Sequence, residues 1–244
     1  MNSRSTPGPS SGPNFQPVPQ TIAGAVAGDS IDVGAAATVV IPFKRLDEAK
    51  TRLRLPGADR RRIALAMACD TLAAVADSIR VGSIIVVTGE PEYAEQARRV
   101  GARVLPDPGS LNLGLQQAAE LATGAVGVLA LLADLPALAP AEVDAVLAAA
   151  QPWLALGRSC FVADSDGLGT SAYAAPQAAF RPRFGPDSAA RHRAEGAIGL
   201  LGDWPGLRLD VDDREALDRA LAMGVGAHTR AALGAVGFGV PEDA

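Results

Sequence analysis

Hydrophobic and polar positions alternate along the chain in a pattern that predicts strands and helices in turn. Short and almost continuously apolar runs, each about one buried strand long, lie at 38–41, 83–88, 102–105, 126–132, 159–163 and 207–211. Helical patterns separate most of them, at 59–78, 91–100, 112–123, 140–150 and 213–223. Continuous apolar runs are typical of parallel strands that helices cover on both faces. We therefore predict an α/β fold with a mostly parallel central sheet.

The N-terminal segment has a different composition from the rest of the chain. Residues 1–36 are rich in Ser, Pro, Gly, Asn and Gln, carry few charges and contain a single aromatic residue, Phe15. Such a segment cannot bury enough apolar surface to offset the entropy of ordering it. We predict a disordered tail at 1–36, one folded domain at 37–234 and a short C-terminal tail at 235–244.

Charge and hydropathy exclude two classes of partner. The chain has 244 residues, a net charge of −5 and 48% hydrophobic residues. Its basic residues are dispersed, apart from one loop after the first strand and a cluster at 181–193, so we expect no nucleic-acid partner. No apolar run is long enough to cross a bilayer, and we expect a cytoplasmic protein without a membrane partner. Cys69 and Cys160 lack metal or redox spacing, which predicts small core residues.

The loop after the first strand contains both lysines of the chain. Of the 22 basic residues only Lys44 and Lys50 are lysines, and Arg52 follows closely. A lysine ammonium is a compact point charge whose commonest target is a phosphate oxygen. The spacing therefore predicts a phosphate-binding loop. A solvated basic turn is the alternative.

Acidic residues follow two of the predicted strands. Asp134 comes shortly after the apolar run at 126–132, where a carboxylate needs solvent, a partner or a metal ion. Ligands in open α/β sheets bind at the carboxyl ends of the strands, and Mg²⁺ is usually held there by one or two carboxylates plus substrate phosphates. Asp210 and Asp212 follow the run at 207–211, and strand alternation would put both on one face. We predict a metal site from these residues. The alternatives are a turn-capping role for Asp134 and a helix-capping role for Asp212 or Asp213.

Two glycine-containing segments between these acidic sites predict an anion site. The first is a turn that ends in Gly169-Thr170. The second contains Gly185 and opens a short helix at Asp187 or Ser188, where backbone amides can receive an anion. A purely structural turn followed by a solvated basic helix is the alternative.

Several kinds of chemistry have no motif in this chain. It contains no Gly-x-x-x-x-Gly-Lys loop, no Gly-x-Gly-x-x-Gly after the first strand, no Gly-x-Ser-x-Gly elbow and no Cys/His cluster. Nucleotidyl transfer onto a phosphate oxygen needs none of these, because its nucleophile is already ionised and the protein supplies mainly positioning and charge neutralisation.

Five segments together resemble the guanylyltransferases of coenzyme F420 biosynthesis. They are 39–53, Ala133-Asp-Leu-Pro-Ala-Leu138, Gly169-Thr170, Arg183-Phe-Gly-Pro-Asp-Ser-Ala-Ala-Arg-His192 and Trp204-Pro-Gly-Leu-Arg-Leu-Asp-Val-Asp212. The similarity covers about 37–234. The family includes 2-phospho-L-lactate and phosphoenolpyruvate guanylyltransferases, and the Arg-Phe-Gly-Pro-Asp-Ser block is most similar to the phosphoenolpyruvate enzymes of actinobacteria.

The resemblance implies a three-layer nucleotidyltransferase fold of the GT-A or Rossmann-like type and a reaction between GTP and phosphoenolpyruvate. The product would be enolpyruvoyl-diphospho-guanosine, which the next enzyme of deazaflavin coenzyme assembly would use. The implied residue roles fall into three groups: Lys44, Lys50 and Arg52 for the triphosphate; Thr170, Gly185 and Ser188 for phosphoenolpyruvate; Asp134 and Asp210, with Asp212 as a further candidate, for Mg²⁺.

Two departures from the family pattern leave alternatives open. Leu168 stands where the family turn commonly has its first threonine, so only Thr170 carries over, and the loop before Asn112 is short, which leaves guanine recognition unassigned. The alternative functions are a 2-phospho-L-lactate guanylyltransferase, a related nucleotidyltransferase with another phosphorylated acceptor, or a non-catalytic nucleotide-binding module.

Overall fold

A computed structural model describes residues 36–44, 53, 56–122 and 126–238 of the chain. The proposed N-terminal tail, apart from Ala36, and the last six residues lie outside these ranges, so the predicted tails stay predictions. Lys50 and Arg52 also lie outside the described residues. Within these residues, no helix is both long enough and apolar enough to cross a membrane.

Seven strands of the described residues form one sheet in the order β3-β2-β1-β4-β6-β5-β7. Their bounds are β1 Ala37–Phe43, β2 Val81–Thr88, β3 Arg103–Leu105, β4 Val128–Leu131, β5 Cys160–Ala163, β6 Thr170–Ala175 and β7 Ile198–Gly199. Strand β6 runs antiparallel to both of its neighbours, and every other pairing is parallel. The predicted mostly parallel sheet is confirmed.

Helices cover both faces of the sheet, as the apolar strands require. Along β1, Val39 and Ile41 face one core and Val40 faces the other, and all three are fully buried. Successive strand residues point to opposite faces, so a strand that is apolar at every position must be covered on both sides. The result is a three-layer α/β/α arrangement.

Within the described part of the chain, eight α-helices lie between or after the strands. They are α1 Gly57–Ala76, α2 Pro91–Arg99, α3 Leu111–Glu120, α4 Pro140–Ala155, α5 Ser188–Ala194, α6 Pro205–Arg208, α7 Arg214–Met223 and α8 Ala227–Ala235. A short 3₁₀ turn spans Gln177–Ala179. The five predicted helices correspond to α1, α2, α3, α4 and α7. Each begins within two residues of its predicted start, and α4 continues beyond its predicted end.

The predicted strand at 207–211 is wrong. Pro205 begins a single helical turn that ends at Arg208, and the chain then runs extended without strand pairing. Proline favours the first helical position, and that local preference prevails over the alternating Leu-Arg-Leu-Asp-Val pattern. Strand β6 and helix α8 were not predicted. Both cysteines are buried and free in the core, as expected, and burial raises the pKa of Cys69 to about 11 and of Cys160 to about 12.

Candidate active site

The site lies at the edge of the sheet where the parallel strands end. Lys44 directly follows β1, Asp134 lies three residues beyond the end of β4, and Asp164 directly follows β5. Because β6 runs antiparallel to β4 and β5, its first residue, Thr170, lies at this same edge. The topology therefore gathers one cation, two carboxylates and a hydroxyl from four strands.

The segment 205–211 is anchored to this edge by backbone contacts. The Val211 N–H donates to the Asp134 carbonyl at 3.0 Å, and the Ser165 N–H donates to the Arg208 carbonyl at 2.8 Å. Glu142 of α4 accepts a hydrogen bond from the Gly206 N–H at 2.9 Å. These bonds put Asp210 beside the ends of β4 and β5.

Gly206 has a steric reason to be glycine. A Cβ at this position would lie 2.2 Å from the carbonyl oxygen of Ala137, a distance that no folded protein tolerates between such atoms. The close backbone approach that glycine permits lets the segment 205–211 pack tightly against the Asp134 loop.

Asp210 lies in an acidic cluster. Burial and, after it, the negative charges of Asp134, Asp212 and Asp164 together raise the pKa of Asp210 to about 7. A carboxyl group with three like charges around it disfavours its own ionisation. A bound divalent cation would reverse this repulsion. Among the described residues, no group of three or more acidic, histidine or cysteine side chains is arranged to hold a metal ion.

Asp164 was not singled out by the sequence analysis. Its carboxylate accepts hydrogen bonds from the Gly169 N–H at 2.7 Å and the Leu168 N–H at 3.1 Å. It thus closes the turn that leads into Thr170 while its charge acts on Asp210. A carboxylate directly after a buried strand was the signal for Asp134, and the same criterion would have identified Asp164.

Thr170 is hydrogen-bonded to a residue of the second predicted anion-binding segment, the one that contains Gly185 and opens α5. Its hydroxyl lies 3.0 Å from Nδ1 of His192 on α5, and both residues are buried. Nε2 of His192 accepts the Arg183 backbone N–H at 2.9 Å. A further bond runs from the Ala189 N–H to the Leu168 carbonyl at 3.1 Å. The two predicted anion-binding segments, which lie apart in the sequence, are therefore joined by hydrogen bonds in the folded chain.

The loop before α5 has an unusual backbone. Gly185 has a φ of +128°, and Asp187 is the one described non-glycine residue with a positive φ, at +54°. The Ser188 N–H donates back to the Gly185 carbonyl at 3.1 Å. Asp187 opens α5 but its side chain makes no capping bond. The helix start at 187–188 is confirmed.

Asn112 holds this loop in place. Its side chain donates to the Phe184 carbonyl at 3.0 Å and accepts the Phe184 N–H at 2.9 Å. One amide thus satisfies both backbone groups of a residue next to Gly185. No pattern in the sequence indicates this role for Asn112, because its partner lies 72 positions away.

The structure brings most of the predicted site residues to one sheet edge. Lys44 is exposed at the end of β1. Asp134, Asp210 and Asp212 interact electrostatically, and Asp213, not Asp212, caps α7 by accepting the Ala216 N–H at 2.9 Å. The structure does not test the ligand that each residue binds, so the predicted roles of these residues stay predictions.

Comparison with known proteins agrees with this architecture. A family model described as "Guanylyl transferase CofC like" matches residues 37–244. A phosphoenolpyruvate guanylyltransferase of Geodermatophilus obscurus is 48% identical over 206 residues, which cover 81% of this chain and 94% of that protein. A second protein with the same name, from Salinispora arenicola, is 45% identical over 197 residues, covering 79% and 91% of the two chains.

The fold also has a counterpart among solved structures. A nucleotidyl transferase from Methanothermobacter thermautotroptrophicus superposes with a TM-score of 0.53 at 16% identity, covering 76% of this chain and 96% of that one. This likeness confirms the nucleotidyltransferase fold. The family match and the identity to the two relatives extend over most of the chain, which therefore belongs to the CofC-like guanylyl transferase family.

Proposed function

We propose that this protein transfers GMP from GTP to phosphoenolpyruvate, giving enolpyruvoyl-2-diphospho-5′-guanosine and diphosphate. One observation carries the proposal: an acidic cluster and an acceptor loop, which we define as Gly169-Thr170 together with residues 183–188, meet at one sheet edge. The chain is also nearly half identical to proteins named phosphoenolpyruvate guanylyltransferase. The same family membership supports a place in coenzyme F420 biosynthesis.

The reaction requires little covalent chemistry from the protein. A phosphate oxygen of phosphoenolpyruvate attacks the α-phosphorus of GTP, a new P–O bond forms, and the bond from the α-phosphorus to the bridging oxygen of the leaving diphosphate breaks. The attacking oxygen is already ionised at neutral pH, so no general base is needed. The protein must hold two anions in line and stabilise the negative charge that develops on the leaving group.

The chain's cations and amides fit these two tasks. Lys44, exposed at the end of β1, would contact the triphosphate, together with Lys50 and Arg52 from the same loop. Thr170, Gly185 and Ser188 would hold the acceptor through hydroxyl and backbone groups. Hydrogen bonds already join Leu168 and Thr170 to helix α5, and His192 of that helix is bonded in turn to Arg183, just before Gly185 and Ser188. The acceptor loop would thus meet its substrate with little rearrangement.

Asp134 and Asp210, with Asp212, would hold Mg²⁺. Carboxylate oxygens are the ligands that this hard cation prefers. The raised pKa of Asp210 reflects its burial first and then repulsion by neighbouring carboxylates, which a bound cation would relieve. When bound, the cation would neutralise charge on the reacting phosphates. Because no three such side chains of the described residues are arranged to hold a metal ion by themselves, phosphate and carboxylate oxygens of the substrates would supply the other ligands.

The proposal extends to the cellular setting. A pI of about 5.1 and the absence of a membrane-spanning helix among the described residues support a cytoplasmic enzyme without nucleic-acid or membrane partners. Its diphosphate-linked product would pass to the next enzyme of deazaflavin coenzyme assembly.

Diphosphate release tests the proposal directly. The full chain is incubated with GTP and Mg²⁺, and either phosphoenolpyruvate or 2-phospho-L-lactate is added in separate reactions. We expect release that depends on both the acceptor and the metal. Release with the lactate alone would assign the alternative acceptor. The absence of release with both acceptors would favour another acceptor or a non-catalytic binding module.

A further inference from the structure

The strongest feature outside the predicted ligand contacts is a buried histidine behind the acceptor loop. His192 is 1% exposed and lies among three aromatic rings. It stacks on Tyr173 with centroids 4.6 Å apart and on Phe161 at 5.7 Å, and Phe184 meets it edge-on at 5.5 Å. Such packing fixes the plane of the imidazole and excludes water from it.

Both ring nitrogens of His192 face polar groups of the acceptor site. Nε2 faces the backbone N–H of Arg183 at 2.9 Å, and Nδ1 faces the Thr170 hydroxyl at 3.0 Å. A backbone N–H can only donate, so Nε2 must be the unprotonated nitrogen. In a neutral ring the single proton then lies on Nδ1 and points to Oγ1 of Thr170.

This arrangement determines what the Thr170 hydroxyl can do. Its oxygen accepts the bond from His192, so its own proton remains for another acceptor. Among the described residues the hydroxyl makes no second hydrogen bond. Resting on the proposed function, we propose that His192 is a positioning residue: as a neutral, Nδ1-protonated ring it turns the Thr170 hydroxyl into a donor for an anionic oxygen of the acceptor and ties Thr170 to the Arg183 backbone.

The charged groups around the ring agree with a neutral state. Burial, with a smaller effect of the Arg183 charge, lowers the pKa of His192 to about 4, although the negative charge of Glu195 and a hydrogen bond of the ring to the Ser188 backbone oppose this shift. Arg183 and Glu195 also form an ion pair with each other, which reduces the effect of either charge on the ring. An imidazolium would place an N–H against the Arg183 N–H and break the link between loop and strand.

Nitrogen NMR tests the protonation state without altering the site. The chain has two histidines, so a tag-free ¹⁵N-histidine sample gives two ring systems, and His228→Gln assigns the other one. His228 is exposed on α8. We expect His192 to be neutral with its proton on Nδ1 at pH 7. A proton on Nε2, or a charged ring, would overturn the proposal whether or not any His192 variant folds.

A double-mutant cycle tests whether His192 acts through Thr170. His192→Gln retains a group that can reach Arg183 but not a donor at the Nδ1 position, and Thr170→Val removes the hydroxyl. Each change should lower kcat/KM for the acceptor by about tenfold to a hundredfold, the range for a lost hydrogen bond to a charged group. The KM for GTP should stay within about twofold.

The double variant separates positioning from general packing. We expect its loss to equal that of Thr170→Val alone, because His192 has no effect once the hydroxyl is absent. Additive losses, or an equal rise in the KM for GTP, would contradict the proposal. A wild-type chain that uses neither acceptor would refute the proposed function. In that case the NMR result would still decide the state of His192, and the two failures are therefore distinguishable.

Discussion

Replacing Asp134 by asparagine tests the acidic cluster with little disturbance of the fold. Asparagine has nearly the same shape as aspartate, and the hydrogen bond that Asp134 makes to Val211, at 3.0 Å, uses the backbone carbonyl and survives the substitution. The substitution removes one negative charge from the group around Asp210. The variant should therefore fold, and its circular dichroism spectrum should match that of the wild type.

The expected loss of activity follows from the proposed role of the carboxylate. A metal clamp contributes several kcal/mol to stabilising charge in the transition state, and each 1.4 kcal/mol is about tenfold in rate. A loss of roughly 3–4 kcal/mol corresponds to a turnover that is lower by about 10²- to 10³-fold. The charge of Asp134 also raises the pKa of Asp210, so in the metal-free variant the pKa of Asp210 should fall below its value of about 7.

Diphosphate release at saturating GTP, phosphoenolpyruvate and Mg²⁺ measures the loss. Asp218→Asn is the matched control, because Asp218 is an exposed carboxylate on α7 that pairs only with Arg214, at 2.9 Å, within the described residues. Its turnover should stay within about twofold of the wild type, since exposed ion pairs contribute little. If Asp134→Asn keeps more than about a tenth of wild-type turnover, the metal role of Asp134 is refuted.

Three further predictions concern the acceptor loop and the tail. Protonation of His192, whose pKa is lowered to about 4, should destabilise the fold as the pH falls from about 6.5 toward 4, by at most roughly 3 kcal/mol, because the unfolded chain binds that proton first. Asp210, whose pKa is raised to about 7, acts in the opposite direction over the same range, so urea unfolding of the wild type and of His192→Gln at several pH values measures the effect as a difference; a difference that does not change with pH would contradict the burial argument. Asn112→Ala should cost about 1–3 kcal/mol, since the Phe184 backbone loses two partners, and should raise the KM for the acceptor more than that for GTP; equal changes in both constants would argue against a specific role. Deletion of residues 1–36 should leave Tm and kinetics nearly unchanged, and a clear drop in either would show that the tail packs on the domain.

Local patterns in the sequence predicted most of the secondary structure. Continuous apolar runs identified β1, β2, β4 and β5, because a strand covered on both faces must be apolar throughout. Strand β6 was not predicted because Thr-Ser-Ala-Tyr-Ala-Ala is built largely from small residues, and because the Gly169-Thr170 pair at its start was interpreted as a turn. The run at 207–211 had the alternation of a strand, but Pro205 directs the chain into a helical turn.

The candidate site was predictable only where its residues follow strands. Asp134 was found by that criterion, and Asp164 satisfies it as well. Asn112 and His192 carried no such signal, because their roles depend on partners 72 and 22 positions away. A single histidine without metal spacing gives no indication that it holds a threonine on another strand. Such pairings arise from tertiary packing, which one sequence does not reveal.

Competition between the two acceptors is the most direct test of the central claim. The two molecules offer the same phosphate and carboxylate, and they differ by a planar methylene against a tetrahedral carbon that bears a methyl group. A difference of that size is worth roughly 1–3 kcal/mol in a pocket, or about tenfold to a few hundredfold. With GTP, Mg²⁺ and equal concentrations of phosphoenolpyruvate and 2-phospho-L-lactate, mass spectrometry should find mainly enolpyruvoyl-diphospho-guanosine. A majority of the lactyl product would contradict the acceptor assignment, and the absence of both products would contradict guanylyl transfer to these acceptors.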